Sequence, residues 1–488
     1  MKLLVVCMIL LVLAGCGRTT GDGETGYDYN NGEPLETASA TGVVPVTEPV
    51  PAPTAEPTAE PVHTPTPHPL QSVEHPLPLG HVARIFDEIR ELFDEDGGDL
   101  WGFELHAPIM FVDPTTRAMA ANTPDLHGHL QEMYGIFLGY YPEELTLFSQ
   151  VVTWEEFGGL LWVVVPWPAI SDMNREGRVS LLSHKVMHWQ QFSGLFEEMM
   201  GWNNSHMNEE FARISVRLEI NALIRALRTM DEERLEAITD ALSIRAERRS
   251  IFGHESDENR LELIEGLAQY NEWIFLTYSR NRAPIGRIRD NAHGMIHGDS
   301  MEHSFGYVTG ALYAFLLLES GESWTPYLTM ESDLAQMLME IKGITQLRPF
   351  EDIDLRQYDY NAISAEERSW VESRVAVLQG ILNALENYPQ LRFYDGDYDH
   401  HGGAMSGHRF TFAELGTVFR GGFDLFGSFG HLNIRNSTII MHNDGYIVIV
   451  ANGMEVSDRR VTTRNWVLEL NEGYEVIPHG DNFRIARE

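Results

Sequence analysis

The 488-residue sequence predicts an α+β protein, in which a small sheet precedes a mainly helical domain and a small antiparallel β domain follows it. Three observations carry this reading. Apolar residues recur at helical spacing almost without a break from Ser180 to Tyr388. Ahead of that stretch, Trp162-Val-Val-Val165 is a continuous run of aromatic and β-branched residues of the kind a buried strand needs. Beyond it the period changes to two, and turn residues separate short apolar runs. The composition is 43% hydrophobic and 22% charged, with 42 glycines and 2 cysteines, which excludes a wholly disordered, collagen-like or disulfide-stapled chain. Asp+Glu is 72 against Lys+Arg 35, a formal net charge of −37. Such a surface repels phosphate backbones, so no nucleic-acid partner is expected.

The elements follow in order. Met1-Lys2 is a short basic start, Leu3 to Leu13 is apolar, and Leu13-Ala14-Gly15-Cys16 closes the run with small residues. The h-region is too short for a permanent span, and the box resembles a bacterial lipoprotein signal. Residues 1–15 are therefore expected to be removed, Cys16 lipidated, and the protein anchored to the membrane on its extracytoplasmic side. Residues 16–78 hold twelve of the 23 prolines and few large apolar side chains, so they read as a Pro/Thr-rich disordered linker. Folded sequence spans 79–388 and 389–488. A first helix runs from Val82 to Phe93 and stops at Gly97-Gly98. Strands are expected within 103–112 and 161–165. Helices are expected at 179–199, 206–229, 232–250, 256–279, 304–320, 326–342 and 364–387, the last opened by the capping box Ser364-Ala-Glu-Glu367. In the β domain, Asn443-Asp444-Gly445 lies between strands 438–441 and 446–450, and Asn471-Glu472-Gly473 between strands 466–470 and 474–477. Both read as hairpins.

Candidate chemistry lies in the helical region. His184-Lys185-Val-Met-His188 sets two imidazoles at i and i+4, so both nitrogens can reach one metal ion. Glu265 sits among Leu261, Ile264, Leu267 and Ala268, where a buried carboxylate needs a partner. His293 and His297 repeat the spacing and, with Asp299, Glu302 and His303, form a second metal-capable set, although a solvated polar loop is the default reading there. Asp395-Gly-Asp397-Tyr-Asp399 opens like a calcium loop. His400 holds its glycine position and no glutamate closes it, so calcium is not expected.

Two further segments extend the histidine pair. They are Leu263-Ile-Glu265-Gly266-Leu-Ala-Gln-Tyr270 and Ser304-Phe-Gly-Tyr307-Val-Thr-Gly310-Ala311. In this order, behind a strand at 158–166, they resemble the gluzincin zinc metallopeptidases, the class of thermolysin and aminopeptidase N. Over residues 100–488 the chain is similar to uncharacterised extracytoplasmic bacterial members of that class. The matching stretches are Phe111-Val-Asp-Pro114, Arg217-Leu-Glu219, Ala246-Glu-Arg-Arg249-Ser-Ile-Phe252 and Leu468-Glu-Leu-Asn-Glu-Gly473-Tyr. The resemblance implies a gluzincin-like domain in which His184, His188 and Glu265 hold Zn²⁺. It also implies that Tyr307 stabilises an oxyanion and that strand 158–166 is the edge along which peptide lies.

The sequence departs from that family at the general base. The residue after the first histidine is Lys185 where the family has glutamate, and an ammonium cannot accept a proton. Its charge opposes a metal cation unless it turns aside. Thr309 stands where the aminopeptidase pattern has lysine, and helices 206–229 and 232–250 fill the long interval between His188 and Glu265. Three functions follow as expectations. The first is a metallopeptidase-like protein, catalytically weak or inactive, that binds a peptide or cell-envelope component. The second is an active zinc peptidase with another base, Glu262 or Glu219. The third is an envelope scaffold or binding lipoprotein that never holds metal.

Overall fold

The computed structural model describes residues 74–488 except 144, 146, 148–151, 197–200, 279–287, 290, 291, 293, 295, 297–300, 395–399, 413, 414 and 488. The signal segment, Cys16, the linker up to residue 73, His293, His297, Asp299, and Asp395, Asp397 and Asp399 lie outside the described residues. The architecture is mixed α and β. Among the described residues no helix is long and apolar enough to cross a membrane.

After helix α1 (Leu79–Asp96), closed by Gly97 in the left-handed region at φ 57°, the chain builds a six-stranded sheet. Its strands are β1 (Ile109–Val112), β2 (Ala118–Ala121), β3 (Gln131–Met133), β4 (Ile136–Tyr140), β5 (Thr153–Phe157) and β6 (Leu160–Pro166), in the order β3-β4-β2-β1-β6-β5. The central pair β1 and β6 is parallel, with Phe111 opposite Val165. Both faces of that pair are covered. Ile109, Phe111, Val163 and Val165 join the helical core, while Met110, Val112, Trp162 and Val164 join a second cluster. Burial on both faces is why β6 reads as an uninterrupted apolar run. Two expectations are corrected here. The strand expected within 103–112 is confined to 109–112, and its ladder starts where the Pro108 carbonyl accepts from Val163 N–H at 2.8 Å. Strand 158–166 is not an edge. Gly158 and Gly159, at φ 56° and 84°, fold the chain back so that β5 covers the outer side of β6 and is itself the edge.

The helices are α2 (Trp167–Ile170), α3 (Arg175–Gln190), α4 (Glu210–Arg228), α5 (Asp231–Phe252), α6 (Glu255–Leu261), α7 (Leu267–Tyr278), α8 (Met301–Leu318), α9 (Leu334–Ile341) and α10 (Tyr360–Asn387). The helix expected at 256–279 is two, joined by a π-turn at Glu262–Gly266, and α3 runs into another π-turn at Gln191–Leu195. The helix expected at 326–342 begins only at α9. There Asp333 Oδ1 caps it, accepting from Ala335 and Gln336 N–H at 2.9 and 3.1 Å. The capping box at Ser364 is not one either. Helix α10 starts a turn earlier, and Glu367 reaches away from its own helix to Arg213 and, at 2.7 Å, to Arg217 of α4.

A buried ionic network ties α4, α5 and α6 together. Arg245 bonds Glu219 at 3.0 Å and Glu262 at 2.5 Å; Arg248 bonds Glu219 at 2.6 Å and Glu258 at 2.9 Å. Tyr313 donates to Glu219 at 2.8 Å, and Arg249 joins Glu258 at 2.9 Å and Asp333 at 2.6 Å. Buried charges survive only when paired and bonded in this way. The Arg217-Leu-Glu219 and Arg248-Arg249 segments are thus structural.

Beyond α10 lie β7 (Gln390–Tyr394), β8 (His400–Phe412), β9 (Gly416–Gly427), β10 (Gly430–His442), β11 (Tyr446–Val450), β12 (Glu455–Ser457), β13 (Arg460–Thr462), β14 (Trp466–Leu470), β15 (Tyr474–His479) and β16 (Asn482–Arg487). All join one largely antiparallel sheet. One face buries Leu391, Phe393, Leu425, Trp466 and Ile485, and the other packs Val418, Ile440 and Val448 against Ile381 of α10. The hairpin at Asn443-Asp444-Gly445 forms, with His442 opposite Tyr446. The one at Asn471-Glu472-Gly473 does not. Strand β14 lies between β10 and β13, and β15 pairs with β16 instead.

Candidate metal centre

Three side chains from two helical segments meet behind the edge strand. On α3, His184 and His188 share a face, and their Nε2 atoms are 3.1 Å apart. The π-turn at Glu262–Gly266 widens the backbone and carries Glu265 to them. Its Oε2 lies 3.2 Å from His188 Nε2 and 3.7 Å from His184 Nε2. Such bulges recur at functional sites because they re-aim a side chain out of helical register. Close helix crossing holds the turn in place. A Cβ on Gly310 of α8 would stand 2.7 Å from the Glu262 carbonyl oxygen, and one on Gly266 would stand 2.6 Å from that of Gly306. Only glycine permits that approach, which explains the Glu265-Gly266 and Gly310-Ala311 pairs.

The three donor atoms fit a metal ion. Donors about 2.0–2.1 Å from a tetrahedral zinc ion lie about 3.3 Å from one another, close to the spacing here. All three residues are at most 1% exposed. Although buried, neither Glu265 carboxylate oxygen takes a well-directed hydrogen bond among the described residues, and such a group needs a cation or donor to offset its desolvation.

An outer hydrogen bond orients the His188 ring. Gln191 donates through Nε2 to the carbonyls of Leu263 and Ile264, both at 2.9 Å, so its Oε1 must accept from His188 Nδ1–H at 2.8 Å. That fixes the tautomer and leaves His188 Nε2 facing the cluster. Glu272 accepts from Ser180 Oγ and lies 3.4 Å from His184 Nδ1, close enough to attract a charged ring but without a well-directed hydrogen bond to it. Burial pulls the His188 imidazole below its ordinary range despite Glu265. Burial also pulls on His184, but Glu265 and Glu272 together outweigh it and raise it. Burial opposes the Glu265 charge, yet the two histidines hold its carboxyl far below the usual carboxylate range. The carboxylate is therefore ionised.

Lys185 is buried, 3% exposed, with Nζ 5.1 Å from the centre of the Trp154 ring of β5. That indole also meets His188 edge-on at 5.9 Å. Tyr307 of α8 converges on the site, its ring stacked on that of His184 at 6.0 Å. Glu262 and Glu219 do not converge. Both are committed to Arg245, Glu219 also to Arg248, and Thr309 Oγ1 donates to Glu262 at 2.5 Å, so neither can serve as the alternative base. Of the second histidine-rich set, Glu302 accepts from Thr411 Oγ1 at 3.1 Å and His303 from Trp202 Nε1 at 3.2 Å, two separate fastenings.

Three site residues lay outside the sequence reading. Glu272 follows Glu265 by seven positions, a same-face spacing that could have found it. Trp154 sits in an alternating segment ended by Gly158-Gly159, a visible hairpin signal. Gln191 carries no local signal, since nothing distinguishes it from Gln190. Comparison of the chain with protein-family models, curated proteins and solved structures finds no match.

Proposed function

We propose that His184, His188 and Glu265 hold a zinc ion, and that the protein is a metallopeptidase-like, gluzincin-type protein whose hydrolysis is weak or absent and whose role is to bind a peptide or cell-envelope component. The observation that carries this is the buried trio of mutually facing donor atoms, 3.1, 3.2 and 3.7 Å apart, with His188 oriented from outside by Gln191 and Glu272 placed 3.4 Å behind His184. Zinc held there supplies Lewis acidity toward a carbonyl oxygen. Tyr307 has a hydroxyl to offer a developing oxyanion. Lys185, at the general-base position, cannot take a proton as an ammonium, and its charge opposes protonation of both histidines. Cys16 lipidation would anchor this domain to the outer side of the membrane through the 16–78 linker.

Peptide hydrolysis by wild type, Lys185→Glu and Lys185→Glu/Tyr307→Phe tests the reading. A positioned base contributes about 10²–10⁴-fold. Cleavage should be absent in wild type, appear with Lys185→Glu and fall again in the double variant, while wild type binds the same peptides, amidated at their C-termini, until a chelator strips the metal. Wild type cleaving as fast as Lys185→Glu would refute the impairment.

A further inference from the structure

The β sheet contains a built notch that the metal centre does not use. Strand β10 pairs with β9 along one edge throughout, with a register shift between Ile434 and Ser437. Its other edge is shared end to end by two strands: β14 takes 430–434 and β11 takes 439–442. Between them, where β11 ends at Val450 and β14 begins at Trp466, the sheet is split. Trp466 Nε1 donates to the Val450 carbonyl at 3.0 Å, bridging the break, and Arg435 N–H donates to that of Asn465 at 3.0 Å beside it. Bulges of this kind bend strands at ligand sites. Helix α10 covers the split and leaves a cavity of about 740 Å³, within the range of small-ligand sites.

The lining is chemically lopsided. Val377, Ile381 and Ile440 give it an apolar wall, while Arg420, Arg464, Asn452 and Asn465 form its polar lining. Arg420 is two residues from the buried Val418, so it lies on the same sheet face beneath α10. Both arginines are exposed, and neither has an ion-pair partner among the described residues. Among the described residues no carboxylate lines the cavity, in a chain where Asp+Glu outnumber Lys+Arg by 72 to 35.

We propose that this notch binds a peptide by its C-terminal carboxylate. Two guanidinium forks suit a planar carboxylate. The asparagine amides both donate and accept, as a peptide backbone requires and a fatty acid does not. The apolar wall takes the terminal side chain. The site is independent of the metal centre, so either can fail without the other.

Fluorescence anisotropy with the full protein and a labelled Gly-Ser-Ala-Ala-Val-Leu peptide, as free acid and as C-terminal amide, is the test. The acid should bind, the amide at least about tenfold more weakly, and Arg420→Met and Arg464→Met should each weaken the acid about tenfold. Added salt should lower affinity. His188→Ala should leave binding intact and remove metal, which separates this site from the proposed zinc centre. Equal binding of acid and amide, binding of neither, unchanged affinity in both arginine variants, or equal displacement by decanoate would overturn the proposal.

Discussion

Gln191→Leu isolates the contribution of the outer hydrogen bonds. Gln191 is fully buried and makes three of them: one with His188 Nδ1 at 2.8 Å and two with the carbonyls of Leu263 and Ile264 at 2.9 Å. Those carbonyls belong to the π-turn, where widening of the ladder displaces the ordinary i→i+4 partner. Leucine has nearly the same volume, so the change removes bonds rather than packing. Each buried polar group left unpaired costs about 1–3 kcal/mol, and because one amide serves both carbonyls the total should be about 2–4 kcal/mol. Release of the His188 ring should also weaken metal binding by about 10–100-fold. Urea unfolding of metal-free protein gives the first quantity, and competition against a chromophoric chelator the second. Gln191→Glu sharpens the test. It can still accept from His188 but cannot donate to the carbonyls, so stability should fall while metal affinity falls less. A Gln191→Leu protein within about 0.5 kcal/mol of wild type, with unchanged metal affinity, would refute the argument.

Three further outcomes are expected. Gly310→Ala should push α8 from the π-turn, since its Cβ would meet backbone at 2.7 Å; a loss of about 1–3 kcal/mol in urea unfolding and weaker metal binding are expected. Burial opposes the Asp333 charge, but Arg245 and Arg249 outweigh it and hold the carboxyl at about 2, below its ordinary 3.8. The unfolded carboxyl therefore binds protons first as pH falls, and the pairing contributes about 2 kcal/mol above pH ~4, lost as pH approaches about 2. Asp333→Asn keeps the helix cap and should lose that stability at neutral pH but not near pH 2, read by thermal unfolding across pH. Cys16→Ser should move the protein from the membrane fraction to the soluble one, and a variant that stays with the membrane would contradict lipidation.

Much of the centre was legible because its parts are local. The i, i+4 histidines need only a helix, and Glu265 stands out as a carboxylate in an apolar helical stretch. What could not be read is set by distant partners. Glu367 looks like a capping glutamate until Arg213 and Arg217, about 150 residues earlier, take it. Strand 466–470 looks like half of a hairpin until β10 and β13 occupy both its edges. A spacing cannot show that β5, not β6, forms the sheet edge, because edge position depends on which strands pair. Likewise Lys185 is plainly not a base, yet its burial over Trp154 comes from a strand packed across the histidine helix.

Metal stoichiometry tests the central claim most directly. Elemental analysis of purified wild type after mild dialysis, beside His184→Ala, His188→Ala and Glu265→Ala, should give about one zinc per chain in wild type and a marked loss in each variant. Equal, near-zero zinc in all four, with no uptake when zinc is added, would show that the three side chains meet without holding a metal and would contradict the account.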